Sequence, residues 1–311
     1  MAASPGMKYQ LPGALNNALM SDPEVQRHKV GDRNTRSTRN AWAETIEQKV
    51  RDLAPFPATY DVNATQPTNF TEYSYTELAG GFWITTQSLE INARLIDLAA
   101  RQVSESDTLD RLAAILQDKY VLNKPETTYK RVCFLPGNNM LDVASIEIIA
   151  RIVHEEEDVM FKLHPLTNDE AINVVRKRVG WNRIIPREVS GMELLRHCDE
   201  VFTSSASEMA ITGTVLGKKV VNISNFFNEG SGAYHVISRV LFKAHRTSVA
   251  TAQRALVNMI DCPWSGMLFP WHSTDSRIVA YFDKSLELRD MYKPLAAPRG
   301  NPPQPKPEQA K

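Results

Sequence analysis

Two short stretches carry the residue types that could do chemistry together. Lys162, His164 and Pro165 follow the apolar run Val159-Met160-Phe161, and Thr203, Ser204 and Ser205 follow Glu200-Val201-Phe202, with Glu208 one turn further on. An ammonium, an imidazole, adjacent hydroxyls and the free amides of a helix start form a donor set suited to an anionic phosphate. Each residue also has an ordinary reading. A histidine after a buried strand can be a packing residue whose ring meets backbone groups, and Ser205 with Glu208 has the spacing of a helix capping box. Gly80-Gly81 and Gly137-Asn138 sit at two further turns, where small residues admit a ligand, a second backbone or a tight turn. No HExxH, Walker loop or GxGxxG is present, and the cluster from His154 to Asp158 reads as a solvated charge run, so no metal site is expected.

The elements that must position these residues are legible from periodicity. From Asp158 to Ser224 the chain repeats a short β-rich run, a polar turn and a stretch with helical apolar spacing, the alternation of a parallel α/β sheet. Thr167 with Glu170, Ser190 with Glu193, and Ser205 with Glu208 predict three capped helix starts. Gly180 and Gly217 predict two helix stops. The sheet should begin near Arg131 with RVCFLPG, covered by the helix LDVASIEIIARIV. The strands ending at Phe161 and Phe202 should be neighbours or next-neighbours, with their ligand at the carboxyl ends.

The chain has 311 residues, 42% hydrophobic and 23% charged, enough for one large or two small soluble domains. A formal net charge of zero gives no global attraction to nucleic acid or anionic membrane, so only local patches could provide it. The three scattered cysteines, Cys133, Cys198 and Cys262, suit free thiols in a reducing compartment. The first residues lack a signal-peptide core and no run is long enough to span a bilayer, so a cytoplasmic location is the expectation. Residues 1–40 form a basic arm with Arg27, His28, Lys29, Arg33, Arg36 and Arg39. It reads as solvated surface, as a segment that packs only in a homo-oligomer, or as a contact over 27–39 for nucleic acid or a phosphate-bearing acceptor. Residues 41–125 should form a reduced amino-terminal domain, with NKPETTYK as linker, and 126–265 the parallel-sheet domain. A crossing helix over 266–293 packs back on the first part, and 294–311 is a disordered proline-rich tail.

FKLHP and DEVFTSSASEMAITGTVLGKKVV resemble the nucleotide-binding half of bacterial GT-B glycosyltransferases, above all capsule-polysaccharide Kdo-transferase-like and sialyltransferase-like enzymes. The resemblance spans about residues 130 to 225. It implies an α/β, Rossmann-type parallel-sheet domain with a smaller amino-terminal domain, and a metal-independent transferase of polysaccharide biosynthesis. The implied donor is a CMP-, CDP- or UDP-sugar and the acceptor a glycan, a lipid-linked glycan or modified DNA. On the matching positions it implies that Lys162, His164, Ser204 and Ser205 contact the donor phosphate and that Glu208 meets the ribose hydroxyls. Gly80, Gly81, Gly137 and Asn138 are candidate loop contacts. Two departures stand out. Gly217-Lys218-Lys219 replaces the family's Gly-Lys-Pro, and the acidic motif that supplies the general base in sialyltransferases is absent. The base would then come from the amino-terminal part, where Asp61, Glu72 and Glu77 are candidates by position. The departures keep a second reading open, a non-catalytic binding or structural protein that retains the nucleotide domain.

Overall fold

The computed structural model describes residues 45–54, 58–60, 73–135, 152–223 and 234–292, apart from positions 47, 51, 87, 117, 119–121, 153–154, 166, 168 and 206. The basic arm, the proline-rich tail, Gly137, Asn138, Asp61 and Glu72 lie outside the described residues.

Five parallel strands form the sheet that carries the two chemically suggestive stretches: β4 (Arg131–Phe134), β5 (Val159–Lys162), β6 (Ile184–Ile185), β7 (Glu200–Thr203) and β8 (Lys219–Asn222). Their spatial order is β6-β5-β4-β7-β8, with β5 and β7 flanking β4. The chain therefore moves outward from β4 through β5 to β6, then returns past β4 to build β7 and β8. This is the doubly wound, Rossmann-type order, and the reversal between β4 and β7 is its topological switch point.

The strands read as near-continuous apolar runs because both faces are covered. Val132, Phe134, Val201 and Val220 point into one core cluster with residues of the helices α4 (Gly191–His197), α5 (Met209–Val215) and α6 (Tyr234–His245). Cys133, Phe161 and Phe202, one residue out of phase, enter a second cluster with Val175 and Val179 of α3 (Asp169–Val179). The two-residue period of a strand thus feeds two cores from one segment. At the amino ends of the strands, Arg131, Glu200 and Lys219 stand side by side in register and pair, so charge closes the edge opposite the suggestive residues.

A second sheet has the order β1-β2-β3-β9, from β1 (Ala58–Tyr60), β2 (Tyr73–Leu78), β3 (Gly81–Thr86) and β9 (Met267–Leu268). Of the alternatives open for Gly80-Gly81, the structure shows the tight turn. Leu78 pairs with Gly81, and the two residues between them have φ of 46° at Ala79 and 91° at Gly80. Positive φ at both central positions is the signature of a two-residue hairpin turn matched to strand twist. Gly81 has a different reason to lack a side chain. A Cβ there would lie 2.3 Å from the Leu268 carbonyl oxygen, because β9 crosses against it. The helix α1 (Leu89–Ala99) begins after β3, capped by Ser88.

One core cluster joins Leu78, Trp83, Ile96 and Leu112, the last from α2 (Thr108–Ile115), to Val132 and Val201 of the parallel sheet. The segment expected as a linker lies along the α/β half, where Asn123 bridges Val189 and accepts from the Ser190 amide. The helix α7 (Val249–Asp261) packs on α6, and α8 (Thr274–Tyr292) returns toward the amino-terminal part. Ile278, Tyr281, Phe282 and Leu288 of α8 bury with Ile46, Val50, Phe82, Ile84 and Leu95.

Candidate functional site

The parallel sheet brings His164 and Ser204 to the carboxyl ends of strands that flank β4. After β5 the chain turns over His164 and Pro165, closed by the Thr167 amide donating to the His164 carbonyl at 2.9 Å. His164 is half-buried. Lys162 takes another course: its side chain is buried, and the ammonium donates to the carbonyls of Leu163 and Arg187. Burial lowers its pKa to about 7, opposed by the charges of Glu188 and Asp118. With two of three N–H groups holding neighbouring loops together, Lys162 has at most one left for a ligand.

At the end of β7, Thr203, Ser204 and Ser205 are all buried. Among the described residues the hydroxyls of Thr203 and Ser204 have no hydrogen-bond partner, and neither has that of Thr167 at the end of the β5 turn. Buried polar atoms are nearly always bonded, to ordered water where no protein group is at hand, so these three hydroxyls on the β5 and β7 loops are donors with capacity for a further partner.

Ser205 and Glu208 do not form the expected capping box. α5 begins at Met209 with Glu208 itself at the cap position in helical geometry, φ −61° and ψ −18°, and no side-chain cap is made. Both side chains act over long distances instead. The Glu208 carboxylate accepts the backbone N–H of Ala79, fastening α5 to the β2–β3 turn. The Ser205 hydroxyl pairs with His235 Nδ1 at 2.8 Å. Glu208 and the glycine turn are thus brought together, but through a backbone amide. Ser190 does cap as expected, accepting the Glu193 amide at 3.0 Å while its hydroxyl donates to Asp118.

His235 is a residue that pattern reading missed. It lies in the first turn of α6, 30 positions after Ser205, and the only sequence signal was a histidine just past the Gly230–Gly232 stretch. With Ser205 and Asn222 it lines a cleft of about 790 Å³, which is also lined by α6 residues, by Arg246 just past α6, by Asp97 of α1 and by Arg101 just past α1. Of the base candidates, Glu77 lies in β2 opposite Phe82. Among the described residues no group of three or more His, Cys, Asp or Glu is placed to hold a metal ion, and no helix is long and apolar enough to cross a membrane.

No protein-family model matches the chain, and no curated protein matches it significantly. Among solved structures, several are loosely similar to part of it. Thermosulfurimonas dismutans KpsC, a beta Kdo 2,4 transferase, is similar at 18% identity over 52% of this chain and 65% of its own, with a TM-score of 0.33. S. aureus MnaA, in a co-structure with UDP, is similar at 12% identity over 64% of this chain and 51% of its own, with a TM-score of 0.28. A UDP-N-acetylglucosamine 2-epimerase gives 15% identity over 64% of this chain and 49% of its own, with a TM-score of 0.27. This chain thus spans about half to just under two thirds of each of these proteins. Superpositions this loose carry no argument about activity. The α/β class rests on the parallel sheet itself.

Proposed function

We propose that the carboxyl edge of the parallel sheet binds the phosphate of a nucleotide-sugar, and that the chain is the donor-binding part of a sugar transferase. The observation that carries this reading is the set of orphan hydroxyls, Thr167, Thr203 and Ser204, at the strand ends beside the switch point. Doubly wound sheets hold their ligands in that crevice, and a phosphate offers acceptors to hydroxyl donors. His164 supplies an imidazole from the β5 end. The pair of Ser205 and His235 supplies a second, with the hydroxyl already oriented by the ring. The donor has a cytidine or uridine base, in keeping with the resemblance of FKLHP and the Ser204-Ser205 segment to CMP-, CDP- and UDP-sugar enzymes.

In the transfer step negative charge develops on the nucleotide leaving group. Donors fixed in advance around that phosphate stabilise the charge without reorganising when it forms. The acceptor hydroxyl needs a base within hydrogen-bond reach, and Glu77, on the sheet that meets α5 through Glu208, is the candidate among the described residues. Lys162 is reassigned in this reading to bracing the two loops that present His164 and α4.

Native mass spectrometry of the purified chain with CMP, CDP, UDP and their sugar conjugates tests the proposal, followed by donor-hydrolysis assays. Selective retention of one cytidine or uridine nucleotide with slow release of its sugar is the expected result. Retention without hydrolysis of any conjugate favours the binding-protein reading, and no retention of any nucleotide refutes the site.

A further inference from the structure

The cleft that begins at Ser205 and His235 has a charge pattern that the nucleotide reading does not use. Arg239 and Lys243 lie at i and i+4 on α6 and line the cleft, joined by Arg246 just past the end of that helix and by Arg101 just past the end of α1. Arg239 pairs with Asp97 at 3.3 Å, the one acidic side chain in the lining. Arg101, Lys243 and Arg246 are exposed, and among the described residues none has an acidic partner. Cations stacked at helical spacing repel each other, so the unliganded fold gains nothing from this arrangement. The polar groups that share the lining, Ser205, Asn222, Thr247 and Thr251, add hydrogen-bonding capacity along the same wall. Thr251 stands in the first turn of the 13-residue helix α7, whose amino end adds positive potential.

We infer that this cleft binds a ligand carrying two or more phosphate groups. From Arg239 to the end of α6 at His245 the helix rises roughly 9 Å, with Arg246 just beyond, so the cations exceed the reach of one carboxylate. Guanidinium forks beside an ammonium match phosphate oxygens well. The one aromatic ring other than His235 in the lining is Phe242, which is buried, so the cleft offers no exposed platform for stacking the bases of a single-stranded nucleic acid. The phosphates have two chemical sources, the diphosphate of the donor proposed above or a phosphorylated acceptor. The cleft itself does not depend on the nucleotide reading, because none of its cations belongs to the strand-end set.

Inorganic tripolyphosphate is the probe, titrated calorimetrically at low salt into the full chain. Binding should weaken about tenfold or more in Lys243→Ala/Arg246→Ala, as expected when two charge-assisted contacts are removed, with an unchanged melting temperature because both side chains are exposed. A matched pair on α3, Lys177→Ala/Arg178→Ala, should bind as the unsubstituted protein does. Displacement of tripolyphosphate by CDP or UDP identifies the donor diphosphate as the occupant. Simultaneous binding identifies a phosphorylated acceptor. Absence of tripolyphosphate binding, or equal affinity in both double variants, overturns the inference. A chain that binds tripolyphosphate through α6 yet retains no nucleotide refutes the donor reading and leaves the cleft standing.

Discussion

Replacing Gly81 with alanine separates a structural glycine from a ligand-contacting one. The added Cβ would sit 2.3 Å from the Leu268 carbonyl oxygen and 2.6 Å from two atoms of the Phe269 ring. The first is backbone, in a strand paired to β3 through Phe82 and Leu268, so no rotamer change relieves it. β9 must shift by about 1 Å to reach ordinary contact, and overpacking of this kind costs about 1 to 3 kcal/mol. Loss of the short β3–β9 pairing, which also orders Met267 and Phe269 in the core, adds about 1 kcal/mol or more. The expected total is about 2 to 4 kcal/mol. Gly80→Ala meets a softer obstacle, the end of the Ile115 side chain at 2.8 Å, but takes a φ of 91° that disfavours a side chain, for about 1 to 2 kcal/mol. Urea denaturation of both variants reads these costs, and calorimetric titration with CDP and UDP reads binding. Both variants should lose stability, Gly81→Ala more, with the nucleotide affinity of the folded fraction unchanged. A Gly81→Ala protein of full stability with abolished nucleotide binding would refute the hairpin reading and restore a glycine loop at the ligand.

Glu200, Ser190 and Glu208 give three further expected outcomes. For Glu200, burial raises the carboxyl pKa, but hydrogen bonds and charge from Lys219 and Arg131 outweigh it and leave the pKa lowered. A carboxyl depressed on folding contributes stability above its unfolded pKa of about 4.3 that is lost as pH falls through the folded value. Glu200→Gln should therefore cost about 1 to 2 kcal/mol at pH 7 and show a flatter loss of stability below pH 4.5, followed by urea midpoints across pH; parallel acid limbs would contradict this. Ser190→Ala removes the α4 cap and the hydroxyl held by Asp118, so urea unfolding should show a loss of about 1 to 2 kcal/mol that Ser190→Thr largely restores. Glu208→Ala should speed hydrogen exchange at the Ala79 amide, whereas Glu208→Gln, which keeps an acceptor oxygen, should not; equal protection in all three proteins would remove this tie.

What the sequence disclosed and what it hid have separate physical causes. β5, β7 and α4 were legible because local signals agreed: an apolar run, a polar turn, and Ser190 placed three residues before Glu193. Gly180 and Gly217 marked real stops, with φ of 81° and 69°. The Ser205 and Glu208 spacing misled because two tertiary partners, His235 and Ala79, outcompete a local cap that has the same spacing. β9 is two residues long and exists by pairing with β3, so it has no periodicity to detect. Whether Lys162 turns its ammonium inward or outward at a strand end depends on the carbonyl of Arg187, 25 residues away. The cationic face of α6 was present in the text of the helix, but only the packing of α1 and α7 beside it turns that face into a cleft.

The central claim is that orphan hydroxyls at the switch point hold a nucleotide phosphate, and Ser204→Ala tests it most directly. Removing a buried hydroxyl that has no partner relieves a desolvation cost, so the unliganded variant should melt at the same temperature as the parent or higher. Saturating ligand at about 100 times the dissociation constant stabilises the parent by about 2.7 kcal/mol. If the hydroxyl donates to the phosphate, the same CDP or UDP concentration should stabilise Ser204→Ala much less, because affinity falls about tenfold or more. His164→Ala should fall in the same direction. Thermal melts of the parent and both variants, with and without nucleotide, give the answer in one experiment. Equal nucleotide stabilisation in all three proteins, or a Ser204→Ala chain that is destabilised without ligand, would contradict the account.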